Sequence, residues 1–366
     1  MRTARPTRLV AALAVSACAL PALAQAPTGL TIYGRANVTY ERITVKNSPV
    51  PALNESNWDL VDNSSRVGFR GRKELTRGLF GHFQIESRVR LDSGGSLPGE
   101  TAFLSSRDSY AGLEGGFGNI RLGRTIGPVY YATYDYISMH NHDTGTSADA
   151  LLAPGIFGNE GFMNNTVWYT SPKFGPFSID IAHSLLGVER LPGESQLRYL
   201  GLVGSYDQGP LHLAVSYATT KQSLDLDGDP TVGPVVPNDD KVYTIGGAFN
   251  MRFVVLGALF ERAESQTLTG AEATRNYTRV AAMVPVGQHE FHVNFGTTNG
   301  RLDVANLSDD GARQWTLGYN YNITKETKVY GFYTTVDNDT NGNYGFATNA
   351  AGVDNRSIAI GVRHNF

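Results

Sequence analysis

The sequence predicts an all-β protein, a sixteen-stranded antiparallel transmembrane β-barrel with a long third loop folded into the lumen. Three observations predict this fold. Apolar and polar residues alternate in short segments, short and long connections alternate between those segments, and one connection, at about residues 125–163, is much longer than the others. Alternation with a period of two indicates a strand with one apolar and one polar face. A connection this long is usually functional.

Residues 1–24 are predicted to be a secretory signal peptide, and residues 25–366 the barrel. Arginines stand at positions 2, 5 and 8, an apolar core follows at 9–20, and Ala22-Leu23-Ala24 is an A-x-A cleavage site. The alternative is a lipoprotein signal ending at Cys18, but the residues after Cys18 remain apolar. Cleavage after Ala24 removes the only cysteine and takes the formal net charge from −3 to −6. An acidic chain without a basic cluster is not expected to bind nucleic acid.

The first predicted strand, Leu30–Glu41, shows the alternation most clearly. Apolar or small residues stand at positions 30, 32, 34, 36, 38 and 40, and mainly polar residues stand between them. Segments 79–86, 211–218 and 314–321 repeat the pattern. A soluble sandwich would bury the apolar faces, whereas a transmembrane barrel turns them to lipid and lines its lumen with the polar faces.

The connections favour the transmembrane barrel. Short turns are predicted at 74–78, 114–118, 172–176, 207–210, 250–252, 285–288 and 322–327. Long polar connections are predicted near 44–64, 90–102, 125–163, 187–196, 222–240, 264–275, 300–312 and 337–356. Seven short turns and eight long loops join sixteen strands, an even number that suits a bacterial outer-membrane barrel. The last strand, 357–366, should pair with Leu30–Glu41 to close the barrel, with Phe366 ending its lipid face.

Several segments, in order along the chain, resemble one family. They are LTIYGRA, SRVGFRGRKEL, GLFGHFQIES, SRDSYAGLEGGFGNIRLGR, NTVWYTSPKFGPF, SYDQGPL and the terminal IAIGVRHNF. Together they resemble the Gram-negative general porins, the trimeric sixteen-stranded type of β-proteobacteria. The resemblance implies a homotrimer in the cell outer membrane, with a water-filled channel for passive diffusion of ions and small hydrophilic solutes. It also implies contacts with lipid, lipopolysaccharide and the barrel assembly machinery, and neither a cofactor nor an enzymatic activity.

The resemblance carries a set of pore-lining basic residues onto this sequence. Matching motifs give Arg35, Arg66, Arg107 and Arg124, and the alternation adds the two arginines that follow Arg66 on its face, at positions 70 and 72 (Arg70 and Arg72). Regular alternation places Arg124 on the same face as apolar Ile120 and Leu122, so Arg124 needs a β-bulge or the strand end to turn inward. Phe162 stands where the family often has a further arginine, which weakens the expected anion preference.

The long loop supplies the expected opposing charges and a group of tyrosines. The acids are Asp135, Asp143 and Asp149, and the tyrosines are Tyr130, Tyr131, Tyr134 and Tyr136. The tyrosines either anchor the loop to the wall or form a track of stacking rings for a sugar. A substrate-selective channel for sugars or organic anions is therefore the alternative to a general diffusion channel.

Two further motifs and one further class of protein are set aside. His140-Asn141-His142-Asp143 has no second cluster that would complete a metal site. The segment 337–342 resembles the opening of a calcium loop, but Thr348 stands where that loop needs a glutamate. A barrel enzyme is not expected, because the sequence has no G-x-S-x-G or comparable nucleophile motif. No metal site and no catalytic residue are predicted.

Overall fold

The computed structural model describes residues 29–94, 106–137, 150–151, 162–185, 198–224, 236–266, 270–302, 305–347 and 350–366. The predicted signal peptide lies outside the described residues. The described residues are mainly strand, and among them no helix is long and apolar enough to cross a membrane.

The strands follow one another along the chain with few intervening helical turns. They are β1 Gly29–Lys46, β2 Ser56–Asp62, β3 Arg66–Thr76, β4 Leu79–Arg88, β5 Ser109–Gly115, β6 Gly118–Thr125, β7 Met163–Thr170, β8 Phe177–Leu185, β9 Arg198–Gln208, β10 Leu211–Leu224, β11 Val236–Asn250, β12 Val255–Gln266, β13 Glu272–Val286, β14 His289–Asn299, β15 Ala312–Asn322, β16 Thr327–Asn338 and β17 Asp354–Asn365. A short π-helix, Tyr130–Tyr134, and an α-helical turn, α1 Asp135–Ile137, follow β6.

The sheet closes on itself through its first and last strands. Each strand pairs antiparallel with its neighbours, and β1 pairs with β17 from Arg35 opposite Asn365 to Lys46 opposite Asp354. The pairing continues past β17, because the Phe366 amide donates to the Gly34 carbonyl at 3.1 Å and the Gly34 amide donates to the Phe366 carbonyl at 3.0 Å. The prediction that the C-terminal residues close the barrel on the first strand is confirmed.

Seventeen strand segments make sixteen crossings in the described part of the chain. β2 and β3 pair with successive parts of β1, so they are one crossing interrupted at residues 63–65. At this interruption the Ser65 hydroxyl accepts a hydrogen bond from the Asn37 amide at 2.9 Å, and Ser64 has a φ of 58°. Such an interruption is a β-bulge, which leaves the strand count unchanged. The predicted sixteen-stranded antiparallel barrel is confirmed.

The first long connection is shorter than the sequence suggested. It was expected near 44–64, but β1 runs to Lys46 and β2 begins at Ser56. The polar segment SNWDLVD of β2 still pairs with β1, and the Trp58 ring stacks on the Tyr40 ring at 4.8 Å. Cross-strand aromatic pairs of this kind stabilise a sheet even where the sequence is polar. In the same way, β10 and β11 extend into the connection expected at 222–240.

The two faces of the barrel wall have opposite chemistry. On β1, Leu30 and Ile32 are 67% and 60% exposed, whereas Asn37, Thr39 and Glu41 on the other face are buried. The same order, apolar outside and polar inside, holds for β4 and β15, where Phe83 and Trp315 are exposed while Glu86 and Gln314 on the opposite faces are buried. This inversion relative to a water-soluble protein is typical of a transmembrane barrel.

Candidate functional site

One inner wall of the barrel carries a row of arginines on three adjacent strands. Arg35 on β1 lies opposite Arg66 on β3, and Arg66 lies opposite Arg88 on β4. Residues paired across antiparallel strands have Cα atoms about 5 Å apart, so the three guanidinium groups start from neighbouring positions. Arg35 also donates to the Asn365 side chain at 3.1 Å. Arg35 and Arg66 were predicted as wall residues but Arg88 was not, although it stands on the same face of β4 as the polar residues His82 and Gln84.

A buried glutamate on β4 lies among these arginines. The Glu86 carboxylate is 2.6 Å from Arg107 Nε and 3.7 Å from an Nη of Arg66, and its side chain is 8% exposed. Its second oxygen accepts a hydrogen bond from the Tyr33 hydroxyl at 3.0 Å. Glu86 was not among the predicted site residues, although it stands on the polar face of β4 with His82 and Gln84. One carboxylate therefore contacts two of the predicted wall arginines.

Arg107 and Arg124 meet at the ring of Phe162. Their guanidinium carbons lie 5.0 and 5.4 Å from the ring centroid, within the range of cation–π interactions. Arg124 also donates to the Ser106 carbonyl at 3.1 Å and to the Asn164 side chain at 2.5 Å. Phe162, predicted to replace a charge, thus packs against two charges.

Arg124 reaches this position through an irregularity in β6. The pairing of β6 with β7 shifts its register between Gly123 and Thr125. Gly123 has a φ of 153°, a value that side chains disfavour and glycine tolerates. The prediction that Arg124 needs a bulge or a strand end is confirmed.

Arg70 and Arg72 lie nearer to the short-turn end of β3. An Nη of Arg72 is 3.0 Å from Glu114, and its guanidinium lies 3.4 Å from the Phe80 ring centroid. Arg70 lies over the Tyr33 ring at 4.8 Å. The charge of Arg72 is therefore matched locally by an acid, as the charges of Arg66 and Arg107 are.

The described start of the long loop leaves β6 and lies against both the neighbouring strand β7 and the more distant strand β10. The Tyr131 ring stacks near Trp168 of β7 at 6.1 Å, and its hydroxyl donates to Asp108. The Tyr136 ring stacks on His212 of β10 at 3.4 Å. Tyr130 contacts the rings of both Tyr131 and Tyr134. The segment therefore passes from β6 to the inner face of β10.

The loop reaches an ion pair on β12 and β13 that is almost completely buried. An Nη of Arg275 is 2.6 Å from Glu261, and the two side chains are 1% and 3% exposed. The Tyr134 hydroxyl donates to Glu261, and the other Nη of Arg275 donates to the Leu151 carbonyl at 2.7 Å. One ion pair thus contacts the loop before and after residues 138–149. This pair was not predicted, because Glu261 alternates with Leu259 and Ala263 and Arg275 with Ala273 and Tyr277, so neither residue stands on a polar face in the sequence.

His212 makes a second connection between wall and loop. One ring nitrogen is 2.7 Å from Asp207 on β9, and the other is 2.8 Å from the Ala132 carbonyl in the π-helix. The side chain is 8% exposed. Both partners are hydrogen-bond acceptors, and the ring is also covered by Tyr136, so His212 ties the loop backbone to the wall.

Only part of the predicted acidic set can be placed. Asp135 begins α1, whereas Asp143, Asp149 and the His140–His142 motif lie outside the described residues. In the described connection after β4, an Nη of Arg90 lies 2.9 Å from an Asp92 carboxylate oxygen. The hydrogen bond from Arg90 lowers the pKa of the Asp92 carboxyl to about 2. That pair stays ionised over the ordinary pH range, and its two charges offset each other.

The chain belongs to the Gram-negative porin family, whose family model matches residues 10–341. It is therefore an outer-membrane channel protein with the closed barrel described above. The outer membrane porin protein 32 of Delftia acidovorans is 27% identical over 97% of this chain and 98% of that protein. The major outer membrane protein P.IB of Neisseria meningitidis serogroup B is 34% identical over 47% of this chain and 48% of its own length.

Solved structures share the same fold. The anion-selective porin from Comamonas acidovorans superposes with a TM-score of 0.78 at 23% identity, covering 92% of this chain and 99% of that one. The trimer form of OmpT, an outer-membrane protein of Vibrio cholerae, has a TM-score of 0.65 at 15% identity and covers 92% and 99% of the two chains.

Proposed function

We propose that this porin is a general diffusion channel with a weak preference for anions. The observation that carries the proposal is the cluster of Arg35, Arg66, Arg107 and Arg124 on one inner wall, with Glu86 inside it. These four guanidinium groups and the one carboxylate have a formal net charge of +3, and Arg88, opposite Arg66, adds one more positive charge to the wall. A permeating anion is attracted to that wall, and Glu86 keeps the attraction modest.

The charge of the arginine wall outweighs the acidic composition of the chain because electrostatic interactions weaken with distance from the ion. The screening length at physiological salt is about 8 Å, so acids on the outer loops act weakly on an ion beside the arginines. Groups within about 4 Å interact with roughly 4 kcal/mol per pair of unit charges at an effective dielectric of 20. The arginine wall therefore dominates the field at the level where the long loop narrows the channel.

The contacts of the tyrosines support anchoring of the loop rather than a sugar track. Tyr134 is 4% exposed and binds the acid of the buried ion pair, and Tyr131 and Tyr136 stack on Trp168 and His212. Rings held in this way offer little face to a solute. We assign these tyrosines to positioning of the constriction loop, at about residues 125–163.

The rest of the proposal follows the family. The signal peptide is cleaved after Ala24, the mature chain assembles as a homotrimer, and it contacts lipid, lipopolysaccharide and the barrel assembly machinery. The trimer form of the OmpT neighbour and the A-x-A site support this assembly and processing. The channel has no cofactor and no enzymatic activity.

Liposome swelling tests the proposed function. Purified protein in liposomes should admit neutral sugars at rates that fall smoothly with solute size and do not saturate with concentration. Saturable uptake, or block of ion current by one sugar, would instead support the substrate-selective alternative. Absence of any solute-dependent swelling would contradict the proposal.

A further inference from the structure

Glu86 occupies an unusual position for an acid in a wall that favours anions. It lies on the inner face of β4, opposite Gly68 of β3, where the neighbouring position lacks a side chain. Its two oxygens have different partners: one contacts Arg107 and Arg66, and the other accepts from the Tyr33 hydroxyl. With a side chain 8% exposed, it is held between these groups rather than presented to the lumen.

This geometry has an electrostatic consequence for Arg66 and Arg107. A carboxylate 2.6 Å from one guanidinium and 3.7 Å from another converts part of their field into that of short dipoles. The field of a dipole falls off faster with distance than that of a single charge. An anion in the lumen therefore feels these two arginines less than it feels unpaired guanidinium groups at the same distance.

We propose that Glu86 is a specificity-determining residue that sets how strongly this channel prefers anions, by offsetting Arg66 and Arg107 together. The inference rests on the proposed function, since it assigns the strength of a preference that the arginine wall creates. It also assigns Tyr33 a positioning role, because its hydroxyl bond keeps the carboxylate turned toward the wall.

The test is Glu86→Gln in planar bilayers under a KCl gradient. The amide oxygen still accepts a hydrogen bond, so the substitution removes a charge and leaves the shape almost unchanged. For an ion about 8 Å from that charge, the unscreened Coulomb interaction in water gives the upper bound of the expected change. The same interaction reduced by salt screening gives the lower bound. The chloride-to-potassium permeability ratio should rise about two- to sixfold.

Glu114→Gln is the matched control. Glu114 also binds an arginine, Arg72, at 3.0 Å, but it lies opposite Phe80, six residues from Glu86 along β4. At about 3.4 Å per residue, the two acids are about 20 Å apart, more than two screening lengths. The control should shift the permeability ratio far less than Glu86→Gln. Glu86→Asp, which keeps the charge, should also shift it less.

The possible results separate this inference from the proposed function. A cation-preferring parent channel contradicts the proposed sign, yet a two- to sixfold shift toward chloride on Glu86→Gln would still support the role of Glu86. A shift no larger than that of Glu114→Gln, or an equal shift in Glu86→Asp, overturns the inference whatever the parent prefers. If the Glu86→Gln variant does not assemble, the same substitution is tested in a double variant that also carries Arg107→Gln. The double variant should then have a chloride ratio about two- to sixfold above Arg107→Gln alone, and an equal ratio overturns the inference.

Discussion

Arg275→Met should release the long loop from the far wall of the barrel. The substitution removes one partner of an ion pair whose side chains are 1% and 3% exposed. Breaking such a pair on one side costs about 3–5 kcal/mol, because the remaining charge stays buried without compensation. The Leu151 carbonyl also loses its donor, which costs about 1 kcal/mol more. The strand ladder does not depend on this pair, so the loss should fall on the attachment of the loop.

Single-channel recording and thermal unfolding measure the effect. The Arg275→Met channel should close and reopen more often than the parent channel, and the variant should unfold at a lower temperature. Glu261→Gln combined with Arg275→Met removes the buried charge and should recover part of the lost stability.

Arg262→Met provides the control from the same region. Arg262 follows Glu261 on β12 but faces outward, where it binds Glu264 at 2.9 Å with side chains 47% and 37% exposed. Exposed pairs contribute about 0–1 kcal/mol, so this variant should behave like the parent. If Arg275→Met and Arg262→Met give the same current traces and the same thermal midpoint, the buried pair does not hold the loop.

Three further outcomes are expected. Deletion of Phe366 should leave the protein misassembled in the periplasm, because both backbone bonds to Gly34 are lost; normal surface trimers would contradict this role. N-terminal sequencing of the mature protein should begin at Gln25, and a lipid-modified N-terminus would contradict the cleavage site. Arg66→Ala with Arg107→Ala should move the zero-current potential toward cations, more so because Glu86 then lacks both arginine partners, whereas neutralising Asp339 in an outer loop should barely shift it. An equal shift from that loop acid would refute the assignment of the wall.

The fold was largely predictable because strands of a membrane barrel repeat one simple pattern. Alternation located the faces, and the alternation of short and long connections gave sixteen crossings. The errors lie at the ends of strands near the long loops, as in β2, where polar residues pair as readily as apolar ones. The conflict between the charge of Arg124 and its apolar neighbours was itself informative, since it predicted the irregularity observed after Gly123.

The partners of the charged residues were not predictable from the sequence. Alternation assigns a residue to a face but does not give its register against the next strand. Glu86 and Arg107 are 21 positions apart, and Tyr134 and Glu261 are 127 positions apart. Their contacts depend on the closure of the barrel and the course of the loop across it. The sequence could show Glu86 as an inward-facing acid but not which basic groups it offsets, and it did not show Glu261 as inward-facing, because that residue alternates with Leu259 and Ala263.

The zero-current potential of the parent channel under a tenfold KCl gradient tests the central claim most directly. The account predicts a potential with the sign expected for a chloride-selective membrane. Because Glu86 offsets part of the arginine wall, the potential should be well below the value of an ideally selective membrane. A potential near zero would mean that the inner charges cancel. A potential with the sign expected for a potassium-selective membrane would contradict the account, because the acidic charge of the whole chain would then outweigh the arginines that line one wall.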